Sequence, residues 1–185
     1  IIGLLYFIKG DFNKALEYYE KSHELNKKVN ADNPNHPDIA DSLNKNGLVY
    51  NITGNCNKAL EYYEKSYEIL EKVYADNPNY ADIAESLKNI GSAYFNKSDY
   101  NKALEYLEKS YEILIIVYAN NPNHADIANL LKIIGSVYND KGDYNKALKY
   151  YEKSYEIRKV IYSENPNHLD IAISLNNIGY VYYNK

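Results

Sequence analysis

The sequence predicts an all-α protein, a solenoid of antiparallel helix pairs with a 44-residue period and about nine helices. Three observations carry that reading. Glycines recur at Gly3, Gly47, Gly91, Gly135 and Gly179, and prolines at Pro34, Pro78, Pro122 and Pro166, each series spaced by 44 without a slip. The string Asn13 to Ser22 recurs letter for letter at Asn57 to Ser66, and with one change each at Asn101 to Ser110 and Asn145 to Ser154. Between these landmarks apolar residues step by three and four, the helical period, as in Ile83, Leu87, Ile90, Ala93 and Tyr94.

Residues 1–9 read as the second half of a first helix. Asp11 and its counterparts Asn55, Asp99 and Asp143 are side-chain acceptors suited to cap the second helix of each pair. In the best-defined unit that helix spans about Tyr100 to Ala119 and stops before Asn121-Pro122, because the residue before a proline is pushed out of the helical region. The next first helix opens on a pattern such as Asn79-Tyr80-Ala81-Asp82, which resembles a capping box, and runs to about Asn96. A turn at Lys97-Ser98-Asp99 completes the period. The array fills residues 1–185 as a single domain: a partial unit 1–40, units 41–84, 85–128 and 129–172, and a partial unit 173–185.

Composition narrows the function classes. A net charge of −4 with 25% charged residues lacks the basic excess of a nucleic-acid binder. One cysteine, Cys56, excludes an internal disulfide framework and a cysteine-rich zinc site. The opening run Ile1 to Ile8 is far shorter than the roughly 20 apolar residues of a membrane span. It also lacks the basic flank and cleavage site of a signal peptide. A reducing, cytoplasmic setting is expected. The chain contains no Met, so residue 1 is not a translation start and the 185 residues are read as a window of a longer array.

A period of 44 also suits HEAT, armadillo and propeller repeats. Propellers are excluded by the helical pattern throughout. Gly47 and Ala59 lie twelve apart, as do Gly91 and Ala103, and Gly135 and Ala147, with Tyr50, Tyr63 and Ser66 at fixed offsets. This pattern of glycine, aromatic, alanine, aromatic and small residue resembles the tetratricopeptide repeat (TPR). The linker His36-Pro37-Asp38-Ile39-Ala40 and the opening Ser174-Leu175-Asn176-Asn177-Ile178-Gly179 resemble the long variety found in kinesin light chains.

The resemblance implies a right-handed superhelix whose first helices line a concave groove. Counting around Gly47 and its equivalents, the groove positions are Asp41, Asn44, Leu48, Asn51 and Ile52, then Glu85, Lys88, Ser92, Phe95 and Asn96, then Asn129, Lys132, Ser136, Asn139 and Asp140, and finally Asn176, Tyr180, Tyr183 and Asn184. These positions vary while the packing positions repeat. A peptide-contact role for the first Asn of the Leu-Asn pair falls on Asn44 and Asn176, while Lys88 and Lys132 replace it in the middle units. Those two lysines suit an acidic side chain or a terminal carboxylate, with Glu85 and Asp140 near enough to neutralise them. Leu4, Phe7 and Ile8 make the N-terminal end apolar.

On the second helices two adjacent apolar stripes, Leu60, Tyr63, Tyr67, Leu70 and Tyr74 beside Ala59, Tyr62, Ser66, Ile69 and Val73, call for neighbours on both sides. Their outer face carries Glu61 with Lys65 and Glu68 with Lys72, read as i,i+4 pairs. His36, His124 and His168 recur at one linker position and read as linker or cap residues, since equivalent residues of stacked repeats lie too far apart to share one metal ion. His23 stands where Tyr67, Tyr111 and Tyr155 stand and reads as a filler, and Cys56 as a packed thiol. No catalytic constellation, metal site or cofactor site emerges.

The expected function is a non-enzymatic scaffold holding a protein or peptide partner in the groove, with no nucleic-acid or membrane partner. The chain is expected to be a monomer, or to associate end to end through its uncapped terminal helices, where Tyr180, Val181 and Tyr182 present an apolar surface. The alternative is a sensor or autoinhibitory array of a larger signalling ATPase or protease whose catalytic domain lies outside the segment.

Overall fold

Helix punctuation accounts for the whole architecture. The computed structural model describes residues 1–77 and 80–185, and among these it holds nine helices and no strand. They are α1 (Ile2–Ile8), α2 (Phe12–Val29), α3 (Pro37–Ile52), α4 (Cys56–Val73), α5 (Ala81–Asn96), α6 (Tyr100–Val117), α7 (Ala125–Asp140), α8 (Tyr144–Ile161) and α9 (Leu169–Asn184). Pro78 of the proline series and the capping residue expected at Asn79 lie outside the described residues.

Each second helix starts where an acceptor side chain meets an orphan amide. Asp11, Asn55, Asp99 and Asp143 accept from the backbone N–H of Lys14, Lys58, Lys102 and Lys146 at 3.1–3.3 Å. The turn before each cap needs a left-handed residue. Gly10, Gly54 and Gly142 supply it at φ of 77°, 82° and 85°, whereas Ser98 adopts φ 60° in the third turn. Helix α6 ends at Val117, two residues before the expected Ala119, with Tyr118 as C-cap.

The linker histidines start the first helices. His36, His124 and His168 are N-caps whose Nδ1 accepts from the backbone N–H of Asp38, Asp126 and Asp170 at 3.2 Å. The rings of His124 and His168 also stack on Tyr118 and Tyr162 at 3.6 Å between centroids. In the unit between, Tyr80 is the N-cap without a side-chain cap bond, and it stacks on Tyr74 at 4.0 Å. Tyr74, Tyr118 and Tyr162 each donate a hydroxyl bond to the aspartate two residues after that cap, Asp82, Asp126 and Asp170. Burial and the Asp126 carboxylate push the Tyr118 phenol up to about 12.

Close approach explains the periodic glycines. A Cβ on Gly47 would sit 2.6 Å from the Tyr63 ring, on Gly91 2.7 Å from Leu107, and on Gly135 2.7 Å from the Tyr151 ring. The pairs α3–α4, α5–α6 and α7–α8 are thereby drawn together around buried Ala59, Ala103 and Ala147. A buried serine fixes each pair: Ser66, Ser110 and Ser154 donate to the carbonyls of Ala40, Ala84 and Ala128 at 2.7–2.8 Å. Tyrosines close the other end of the pair. Tyr50 stacks on Tyr62, Tyr94 on Tyr106 and Tyr138 on Tyr150 at 5.5–5.6 Å, with Lys58, Lys102 and Lys146 above the Tyr50, Tyr94 and Tyr138 rings.

Each helix also packs on the next pair, α4 on α5 and α6 on α7, as the double apolar stripe requires. Two expectations change. Neither Glu61–Lys65 nor Glu68–Lys72 closes into an ion pair; among the described residues the outer faces pair Glu17 with Lys21, Glu105 with Lys109 and Glu156 with Lys159. Such exposed pairs hold so little free energy that side-chain entropy decides which ones form. At α9, Tyr180 and Tyr182 are exposed, but Val181 turns inward and is fully buried in the core around α7 and α8.

Candidate peptide-binding groove

Successive first helices touch, α3 with α5 and α5 with α7, which places them along the inner side of the array. A groove of about 730 Å³ runs across them. Of the residues expected there, Asp41, Asn44, Leu48, Glu85, Lys88 and Asn129 line it. Its floor comes from the second helices, through Leu70, Ser110 and Leu114, which counting along the first helix does not reveal.

The remaining expected positions have varied surroundings. Ser92 Oγ donates to the Lys88 carbonyl at 2.8 Å, and Ser136 Oγ donates to the Lys132 carbonyl while accepting from the Tyr151 hydroxyl at 3.0 Å. Asn51 Oδ1 accepts from Asn96 at 2.9 Å, and Asn139 donates to Asp140 at 3.1 Å. Phe95 packs against the core beside Tyr100, and Phe7 against Phe12. Asn176, Tyr180 and Tyr183 are exposed on α9, as are Leu4 and Ile8 on α1. Asn44 Nδ2 donates to Ser86 Oγ at 3.3 Å, and its Oδ1 is buried with no protein partner among the described residues, as is Asn139 Oδ1.

The two lysines differ. Lys88 Nζ lies 3.0 Å from Glu85, which leaves that part of the groove close to neutral. Lys132 has no ion pair among the described residues. Burial and the neighbouring Arg158 guanidinium hold its ammonium below the ordinary lysine range, only partly offset by Asp170. Arg158 itself was not expected at a site. It occupies the slot of Leu70 and Leu114, is 3% exposed, and meets no carboxylate among the described residues. Nη1 donates to the Asp170 carbonyl and Ser174 Oγ, and Nη2 to Asn129 Oδ1 at 2.8 Å. The signal was present in the register: the chain's one arginine stands in a column that otherwise holds Asn26, Leu70 and Leu114.

Among the described residues there is no group of three or more metal-ligating side chains, and no helix is long and apolar enough to cross a membrane. The tetratricopeptide repeat model matches the chain in overlapping windows, residues 2–72, 38–115, 82–160 and 126–184. The chain belongs to the tetratricopeptide repeat family. TPR arrays are protein-interaction scaffolds and are typically non-catalytic, and that general class of function comes with membership. Among solved structures, the fold is similar to a Podospora anserina putative kinesin light chain with nearly identical TPR-like repeats, at 18% identity and a TM-score of 0.75, covering 98% of this chain and 82% of that one. It is also similar to BtubC (BKLC) from P. vanneervenii, at 21% identity and a TM-score of 0.75, covering 98% and 69%. At these identities the likeness is one of fold: a TPR array of the kinesin-light-chain kind. A comparison with curated protein sequences found no match.

Proposed function

We propose that the array is a non-enzymatic scaffold that holds an extended peptide or partner segment in its concave groove. The observation that supports this most is the 730 Å³ groove across α3, α5 and α7, whose lining varies from unit to unit while the glycine, alanine and serine packing beneath it is repeated. Asn44, Leu48, Asn51, Lys88, Ser92, Phe95, Lys132, Ser136, Asn139, Asn176, Tyr180 and Tyr183 are the proposed contact positions. Lys132, which has no ion pair among the described residues and lies beside Arg158, favours an acidic group of the ligand towards the α7–α9 end, while the Lys88–Glu85 pair favours neutral polar contacts in the middle. The test is affinity capture with the intact protein, followed by titration of the captured partner against Lys88→Glu/Lys132→Glu. Binding should weaken at least tenfold with helicity unchanged. Undiminished binding in a folded double variant would overturn the groove assignment.

A further inference from the structure

The first unit departs from its copies at two packing positions. In the second and third units Tyr67 and Tyr74, and Tyr111 and Tyr118, pack against the clusters that contain Ile83 with Leu87, and Ile127 with Leu131. At the equivalent places in the first unit stand His23 and Asn30, over Ile39 and Leu43. Asn30 turns its amide onto the Asn26 carbonyl at 3.0 Å, so neither residue replaces a phenol ring. A cavity of about 330 Å³ lies there, between α2, α3 and α4, walled by Ile39, Leu43 and Ile69 and sharing no lining residue with the groove.

The polar part of the cavity is specific. Ser42 Oγ gives its proton to the Ile39 carbonyl at 2.8 Å, so at its 2.9 Å contact with His23 Nδ1 it is the acceptor. The imidazole proton is therefore on Nδ1, and Nε2 carries a lone pair with no protein partner among the described residues. Burial, together with Lys27 and Lys65, holds the ring neutral at pH 7. At the rim, Lys27 is paired with Glu24 at 3.3 Å and Lys65 is accompanied by Glu68, so the charges offset and an uncharged ligand suits the opening.

We infer that this cavity is a binding site for a small phenol, with the ring on Ile39, Leu43 and Ile69 and the hydroxyl donating to His23 Nε2. The same apolar floor receives the chain's own tyrosine rings in the neighbouring units, and an apolar cavity with one placed acceptor takes a ring of that size.

The test is a titration of the isotope-labelled protein with p-cresol, read from the methyl resonances of Ile39, Leu43 and Ile69 and the imidazole resonances of His23. Saturable shifts confined to these groups are expected, with a Kd on the order of 1 mM, as suits so small a ligand. Toluene, which lacks the hydroxyl, should bind about tenfold more weakly. His23→Tyr and Asn30→Tyr restore the chain's own ring, and whichever retains native helicity should lose the shifts. Absence of shifts at these methyls in the parent protein, equal affinity for toluene, or undiminished binding in a folded ring-restoring variant would overturn the inference.

Discussion

Replacing Gly47 and Gly179 by alanine in separate variants makes the same chemical change at the same repeat position in two environments. On Gly47 the new methyl would lie 2.6 Å from Tyr63, a ring that is 1% exposed and held among Ala59, Leu60 and Ile90. On Gly179 it would meet nothing within 4 Å. Alanine is favoured over glycine in a helix by about 1 kcal/mol, and that gain applies at both sites. Overpacking a close-packed core costs about 1–3 kcal/mol, and a contact this short against a ring that cannot swing into solvent belongs near the top of that range. Gly47→Ala should therefore lose about 2 kcal/mol net while Gly179→Ala gains about 0.5–1 kcal/mol. Because each helix contacts mainly its neighbours, the losses are local. Urea unfolding followed by circular dichroism gives the overall shift, and hydrogen exchange resolved by helix gives its place: faster exchange in α3 and α4 for Gly47→Ala, slower in α9 for Gly179→Ala. If both variants shift stability alike, or if Gly47→Ala protects α3 and α4, close helix approach is not what requires the glycine.

Two further outcomes follow from the same geometry. Ser98→Gly should stabilise the third turn by about 0.5–1 kcal/mol, since a left-handed L-residue costs about 1–2 kcal/mol and part is returned as glycine's unfolded-state entropy; a thermal unfolding curve that stays put or moves down would contradict it. At alkaline pH, burial raises the Tyr63 and Tyr151 phenols, and burial with Asp126 raises Tyr118 to about 12. The unfolded chain loses these protons first, so stability present below about pH 10 is lost as pH climbs toward the folded values. The melting midpoint should be flat from about pH 7 to 9 and fall above about 10, and a midpoint unchanged at about pH 12 would refute the assignment.

What the sequence made legible was whatever depends on register. Asp11, Asn55, Asp99 and Asp143 cap their helices because a cap is a contact over three residues, and the glycine–alanine spacing locates close approach because it is copied in every unit. What it left hidden depends on neighbours from other helices or on small energy differences. The linker histidines were placed, but not their stacking on Tyr118 and Tyr162. The outer-face pairs were misassigned because several partners of nearly equal energy compete. The first-helix positions of the groove were countable, whereas its floor of Leu70, Ser110 and Leu114 belongs to other helices. Arg158 stood out by composition, yet its three acceptors come from Asn129, Asp170 and Ser174, on two other helices.

That arginine has a consequence for the far end of the array. Its column otherwise holds Asn26, Leu70 and Leu114, and at 3% exposure its guanidinium is bonded to α7 and α9 at once. A packed leucine holds its neighbours by surface alone and tolerates a small slide, whereas directional hydrogen bonds fix both distance and rotation. Arg158 is thus a rivet between α7 and α9, setting the pitch at which the last helix joins the stack.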